Sequence, residues 1–332
     1  MKTAVIGSGG WGTALALALL RNGHDTVLWS HDPKKAEQMT QSRENPMLPG
    51  VTLPEELQIT EDDRCVEGCG LVVIACPSVH IRGVCRRVAP YLDKDAVMVS
   101  VTKGIEDGTF LRMSQIVGEE THRSVVVLTG PSHAEEVARQ IPTGCLAACA
   151  DKALAEQVQD AFMSDTFRVY TSPDAVGAEL GGALKNVIAL CAGTVDGLGY
   201  GDNTLAMLIT RGLTEIARLG VSLGAHKDTF AGLAGIGDLI VTCTSKHSRN
   251  RRLGVLLGQG MTPQQALGSI GGAVEGYYAA RSARALAKKT GVEMPIVEAA
   301  YQVLYNGVSA ADVVGVLLSR ERRPESEDAG WL

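Results

Sequence analysis

Aromatic side chains are scarce in this sequence. Phe, Trp and Tyr together make up 4% of its 332 residues. Its cores must therefore be filled by Ala, Val, Leu and Ile, which suits a Val/Ile-rich parallel sheet and closely packed helices. A basic excess is missing too. The formal net charge is −6, which argues against non-specific nucleic-acid binding and leaves any anionic ligand to a local basic cluster. Apolar runs are interrupted by Gly, Asn or charge before about 18 residues, so no transmembrane helix is expected. The chain opens directly on a strand-like run (MKTAVIG) with no basic leader or cleavage site. No signal peptide is expected, and a cytoplasmic location follows as the default.

Metal-ligand spacing is likewise absent. The eight cysteines are Cys65, Cys69, Cys76, Cys85, Cys145, Cys149, Cys191 and Cys243; none forms a C-x-x-C pair or has a partnered histidine. No metal site is expected, and free thiols in a reducing compartment are the simpler reading.

A chain of 332 residues sets two domains as the starting expectation. β-Branched runs at Thr3 to Ile6, Thr26 to Trp29, Leu71 to Ala75, Ala96 to Val101, Val125 to Leu128, Thr143 to Ala148 and Phe167 to Tyr170 alternate with helix-period segments. That alternation predicts α/β architecture: a Rossmann-type, mostly parallel sheet domain over residues 1–178. Asn45 to Leu57 contains Pro46, Pro49 and Pro54 and reads as an ordered loop. Beyond Ser172 no strand pattern follows. Seven helical segments between Pro173 and Leu318 predict an all-α C-terminal domain over 179–318. The charged stretch 319–332 reads as a disordered tail.

The sequence Gly7-Ser8-Gly9-Gly10-Trp11-Gly12 places G-x-G-x-x-G between a strand and a helix. Gly7 permits a tight turn, Gly9 lets a pyrophosphate approach the backbone, and Gly12 allows close helix–strand packing. The pyrophosphate would sit on the positive end of the following helix. A nicotinamide or flavin dinucleotide is the implied ligand; a ligand-free glycine turn is the bland alternative. The second strand ends in Ser30-His31-Asp32. Enzymes specific for NAD usually carry an acid there to grip the ribose 2′-hydroxyl. Asp32 comes late and precedes Pro33, where it can cap the next helix. NADPH is therefore favoured over NADH.

Ligands in such folds bind at the carboxyl ends of the strands. Cys76-Pro77-Ser78, Thr102-Lys103-Gly104 and Gly130-Pro131-Ser132-His133-Ala134 each follow a strand and should line one crevice. Lys103 is the charged member, or else a solvated loop lysine. Lys185 sits in the apolar segment Leu180 to Ala192, with Gly181, Ala189 and Ala192 on its face. A desolvated lysine has a lowered pKa and can donate a proton near neutral pH. The alternative is a helix contact from which the lysine snorkels to the surface. Ser248-Arg249-Asn250 combines an N-cap with basic and amide side chains, a phosphate or carboxylate site, or simply a solvated basic face.

Together these segments, with Leu28 to Pro33, Ala183-Leu184-Lys185-Asn186, Gly235-Ile236-Gly237-Asp238-Leu239 and Val274-Glu275-Gly276, resemble NAD(P)-dependent glycerol-3-phosphate dehydrogenase of the bacterial type. They occur in the family's order from residue 1 to about 310. The resemblance implies reversible reduction of dihydroxyacetone phosphate to sn-glycerol 3-phosphate, feeding phospholipid synthesis. It makes Lys185 the proton donor/acceptor, helped by Lys103. It assigns substrate contacts to Lys103, Gly130, Ser132, Lys185, Asp238, Ser248, Arg249 and Asn250. Cofactor contacts fall to Gly10, Trp11, His31, Lys103, Ala134, Arg249, Ala273 and Glu275, and a homodimer is expected. Two departures stand out. Gly10 replaces a serine common in the family, and Met47 stands in Asn45-Pro46-Met47-Leu48-Pro49 where an aromatic often precedes Leu-Pro. A ketopantoate-type or β-hydroxyacid dehydrogenase and a non-catalytic NADPH sensor are the rival readings. A sugar-nucleotide dehydrogenase is disfavoured because no cysteine stands in a nucleophile's place.

Overall fold

In the computed structural model, which describes residues 1–322, 324 and 325, the alternating first half forms eight strands. They are β1 (Lys2–Ile6), β2 (Asp25–Trp29), β3 (Gln58–Thr60), β4 (Leu71–Ile74), β5 (Val97–Ser100), β6 (Val125–Thr129), β7 (Thr143–Ala148) and β8 (Phe167–Ser172). The helices among them are α1 (Gly10–Arg21), α2 (Pro33–Ser42), α3 (Ile81–Val88), α4 (Met113–Thr121), α5 (Ala134–Ala138) and α6 (Lys152–Phe162).

The strands make one sheet in the order β3-β2-β1-β4-β5-β6-β7-β8. Every neighbouring pair is parallel except β6–β7. Ile6 pairs with both Trp29 and Ile74, so β2, β1 and β4 end together. The strand order reverses there, between β1 and β4, and opens a crevice above the strand ends. Helices cover both sheet faces, which is why Ala4 to Ile6 and Leu71 to Ile74 are fully buried apolar runs instead of alternating ones. The sequence pattern shows seven of these strands. β3 is missed because three residues on a sheet edge, directly after a proline-bounded loop, are too short to display a period.

The second half contains α7 (Ala175–Gly197), α8 (Asp202–Ser222), α9 (Asp238–Thr244), α10 (Arg249–Gly258), α11 (Pro263–Ser269), α12 (Glu275–Thr290), α13 (Pro295–Asn306) and α14 (Ala310–Leu318). Among the described residues no strand follows Ser172. α9 is not expected from the sequence, because its seven residues emerge from the glycine-rich turn Leu233–Gly237. Of the tail 319–332, the described part touches the helical half: Arg211 donates to the Glu325 carbonyl (3.1 Å) and Arg320 pairs with Glu293 (3.4 Å). The rest lies outside the described residues.

α7 is the axis of the helical half. Asp174 caps it by accepting from Gly177 N (2.8 Å). By length and composition it could cross a bilayer, but 83% of its most apolar window is buried inside the protein, as in the core helix of a globular fold. Two features fix its position. Glu179 accepts from Ser114 N (2.7 Å), Ser114 Oγ (2.6 Å) and Arg112, which caps α4 and ties α7 to the sheet half. α7 and α10 also meet backbone to backbone: a Cβ on Gly193 would overlap the Arg251 carbonyl, and one on Gly254 would overlap the Leu190 carbonyl. The start of α10 is thereby locked against the helix that carries Lys185.

Candidate active site

The glycine turn between β1 and α1 has the required shape. Gly7 adopts φ +131°, and a Cβ on it would lie 2.5 Å from the Ala75 carbonyl oxygen. A Cβ on Gly12 would overlap the Gly7 carbonyl, so only glycine lets α1 start this close to β1. Gly9 faces open space, with nothing within 4 Å of its Cβ position. This open cradle at a helix N-terminus fits a pyrophosphate.

A cleft of about 750 Å³ runs from the turn toward the helical half. Gly7, Gly9, Gly10, Trp11, Gly12 and His31 line it from the sheet side, and Arg249, Ala273 and Glu275 line it from the helical side. Lys103 lies between these groups. Ala134 is not part of the lining; it stands behind Gly10, 3.6 Å from where a Cβ there would be. Glu275 closes across the cleft by accepting from Ser78 N (3.2 Å) and Ser78 Oγ (2.6 Å). Its burial raises its pKa, partly offset by these two bonds.

The 45–49 loop packs directly on the glycine turn. Asn45 Nδ2 donates to the Ser8 carbonyl (3.1 Å) and to Thr13 Oγ1 (2.7 Å), which clamps the 45–49 loop onto the glycine turn. Met47 then lines the cleft, and its carbonyl would stand 2.9 Å from a Cβ on Gly10. A side chain at Gly10 would press on that carbonyl. Asp32 accepts from Lys34 N (3.0 Å), so it is the cap of α2.

Behind Lys103 lies a buried charge cluster. Asp238, the first residue of α9, is 1% exposed and bridges two ammonium groups. Its Oδ2 accepts from Lys103 Nζ (2.7 Å) and its Oδ1 from Lys185 Nζ (2.5 Å). Thr242, one turn along α9, donates its hydroxyl proton to the Asp238 carbonyl (2.6 Å) and accepts from Lys185 (2.5 Å). Burial lowers the Lys185 pKa to about 8; Asp238 opposes the shift and Lys103 adds to it. Small residues make the cluster possible. Gly181 packs against the Ala234 carbonyl, and the aliphatic stem of Lys103 runs 3.7 Å from where a Cβ on Gly182 would be. The Gly130 carbonyl accepts from both Lys103 Nζ (3.3 Å) and Ser132 Oγ (3.0 Å), joining that loop to the cluster.

At the start of α10, Ser248 Oγ accepts from Arg251 N (3.2 Å) and caps the helix. The Arg249 side chain points into the cleft beside Gly272. Asn250 is committed elsewhere: it donates to Asn186 Oδ1 (2.8 Å) and accepts from Gly276 N (2.8 Å). Its side chain therefore braces α7 against α12, leaving its backbone N–H and one amide hydrogen for a ligand. Thr242 and Lys35 carry no signal in the sequence, whereas Ser78 belongs to one of the strand-end segments expected to line the crevice. Met47 is marked by its proline-bounded loop.

The chain matches the family models for the NAD-dependent glycerol-3-phosphate dehydrogenase N-terminus over residues 2–155 and C-terminus over residues 174–315. A glycerol-3-phosphate dehydrogenase (NAD(P)+) from Moorella thermoacetica is 51% identical over 330 residues, covering 99% of this chain and 98% of the relative. One from Pelotomaculum thermopropionicum is 50% identical, covering 98% and 95%. The crystal structure of glycerol-3-phosphate dehydrogenase from Coxiella burnetii superposes with a TM-score of 0.92 at 37% identity, covering 96% of this chain and 99% of that one. The chain belongs to the NAD-dependent glycerol-3-phosphate dehydrogenase family, enzymes that reduce dihydroxyacetone phosphate to glycerol 3-phosphate with NAD(P)H.

Proposed function

We propose that Lys185 is the proton donor when dihydroxyacetone phosphate is reduced and the acceptor when sn-glycerol 3-phosphate is oxidised. The observation that carries this reading is the bridge from Lys103 through Asp238 to Lys185. One carboxylate shared by two ammonium groups leaves a net positive charge in a buried site. Such a preorganised charge stabilises an oxygen that becomes negative in the transition state. A lysine lowered to about 8 exchanges its proton close to neutral pH. When bound, the nicotinamide supplies the hydride.

The substrate phosphate is assigned to Arg249 and the free N–H groups at the start of α10, with Ser248 and the Asn250 backbone beside it. The Gly130–Ser132 loop and Asp238 complete the substrate contacts. Binding energy from the phosphate, remote from the reacting carbon, orients the ketone. We assign the dinucleotide to the cleft from Gly7 to Glu275, with NADPH favoured because no free acid ends β2. The division of the chain at 178/179 places the glycine cradle on one side of this site and Lys185 and Arg249 on the other.

The product would supply glycerophospholipid synthesis. A cytoplasmic setting is supported by eight free cysteines. A homodimer is supported by apolar side chains left open on α8 and α14, where Met207 is 48%, Val316 66% and Leu318 63% exposed; light scattering at two concentrations would test it. For the catalytic role, Lys185→Ala should abolish turnover while cofactor affinity stays nearly intact. Wild-type kcat in that variant would overturn the assignment.

A further inference from the structure

We infer that Lys35 is the specificity-determining residue at the adenosine end of the cleft, where its ammonium, together with His31, reads a ribose 2′-phosphate and so selects NADPH over NADH. This rests on the reading that the cleft takes a dinucleotide with the phosphorylated form favoured, and it names the groups responsible.

Lys35 lines the cleft beside His31, in the first turn of α2. Its Nζ donates to the Ser8 carbonyl (2.6 Å) and stands 3.6 Å from Met47 Sδ. The ammonium is thus pinned over the glycine turn. It has three donors, and a single strong oxygen acceptor holds it. Partial burial lowers its pKa, against the pull of Asp32. Among the described residues it makes no ion pair.

The surroundings favour an added anion. Glu275 supplies the sole carboxylate among the residues lining the cleft, and it is engaged with Ser78. Asp32 spends an oxygen on capping α2. Ser30 is fully buried and accepts from Ser8 Oγ (2.9 Å). No carboxylate in the cleft lining is therefore free to grip a 2′-hydroxyl as an NAD-selective site does. Arg87 also lines the cleft, but it is already paired with Asp63 (2.9 Å) and lies over the Trp29 ring, 5.0 Å from its centroid. Lys35 feels Asp32 without forming an ion pair with it, and a phosphate would supply a direct partner.

The test titrates adenosine 2′,5′-bisphosphate and ADP into wild type, Lys35→Ala and Lys35→Arg by calorimetry. Wild type should bind the 2′,5′-bisphosphate about tenfold or more tightly than ADP, a gap expected for a charged hydrogen bond. Lys35→Ala should remove most of that gap, and Lys35→Arg should keep it. The NADPH:NADH ratio of kcat/KM should fall with it in Lys35→Ala, through the KM for NADPH and not through kcat. Equal binding of the two nucleotides by wild type, or an undiminished gap in Lys35→Ala, would overturn the inference. Failure of wild type to oxidise either nicotinamide with dihydroxyacetone phosphate would instead overturn the functional reading, while the titration still decides the role of Lys35.

Discussion

Lys185 Nζ lies 2.5 Å from Asp238 Oδ1, with 7% and 1% of the two side chains exposed. A buried pair of this kind is expensive unless its remaining hydrogen-bonding capacity is met. Here it is met on one side by Lys103 and on the other by the Thr242 hydroxyl. The pair is therefore one part of a four-residue device that holds the ammonium in a fixed place.

Thr242→Val keeps the shape of the side chain and removes the hydroxyl that accepts from Lys185. Loss of one hydrogen bond to a charged group should lower kcat about tenfold. Steady-state kinetics beside a thermal melt separates the effects. A variant with wild-type kcat would remove Thr242 from the positioning of Lys185.

Arg249→Ala should raise the KM for dihydroxyacetone phosphate. Loss of a charge-assisted contact to phosphate corresponds to about 3 kcal/mol, roughly 100-fold. Turnover of unphosphorylated dihydroxyacetone should change little, since it offers no phosphate to hold. Equal losses on both substrates would mean that Arg249 acts elsewhere.

Gly254→Ala puts a methyl group where the Leu190 carbonyl already stands. Overpacking of this sort costs about 1–3 kcal/mol, occasionally more. The melting temperature should fall, and the KM for the phosphorylated substrate should rise because the start of α10 is pushed off α7. An unchanged melt would show that the two helices are free to separate.

Some of this was legible in the sequence for clear physical reasons. The glycine turn announces itself because Gly7 and Gly12 answer local steric demands and Gly9 leaves the space above the turn open. Lys185 was visible because a charge in an apolar helical segment needs explaining, and Ser248-Arg249-Asn250 because a cap followed by a cation is a local pattern. The remainder depends on contacts between distant positions. Thr242 meets Lys185 across 57 residues, and Ser78 meets Glu275 across 197. No local period encodes such pairs. Asn250 is only half legible: its place beside Arg249 points to a phosphate contact, but nothing local shows that its side chain also spans Asn186 and Gly276. Lys35 was hidden for a related reason. On a short polar helix it looks like any solvated lysine until Ser8 is folded beneath it.

The most direct test of the account is the pH dependence of kcat/KM, which reports ionisations in the free enzyme. The acid form of Lys185 should be required for ketone reduction, so the rate should fall as pH rises through about 8. The base form should be required for glycerol 3-phosphate oxidation, so that rate should rise through the same value. Asp238 raises the Lys185 pKa. In Asp238→Asn both limbs should therefore move to lower pH. Mirror-image limbs near pH 8 that shift together in the variant are the predicted result. A profile with no ionisation in that range, or one unmoved by Asp238→Asn, would contradict the assignment of Lys185 as the proton donor.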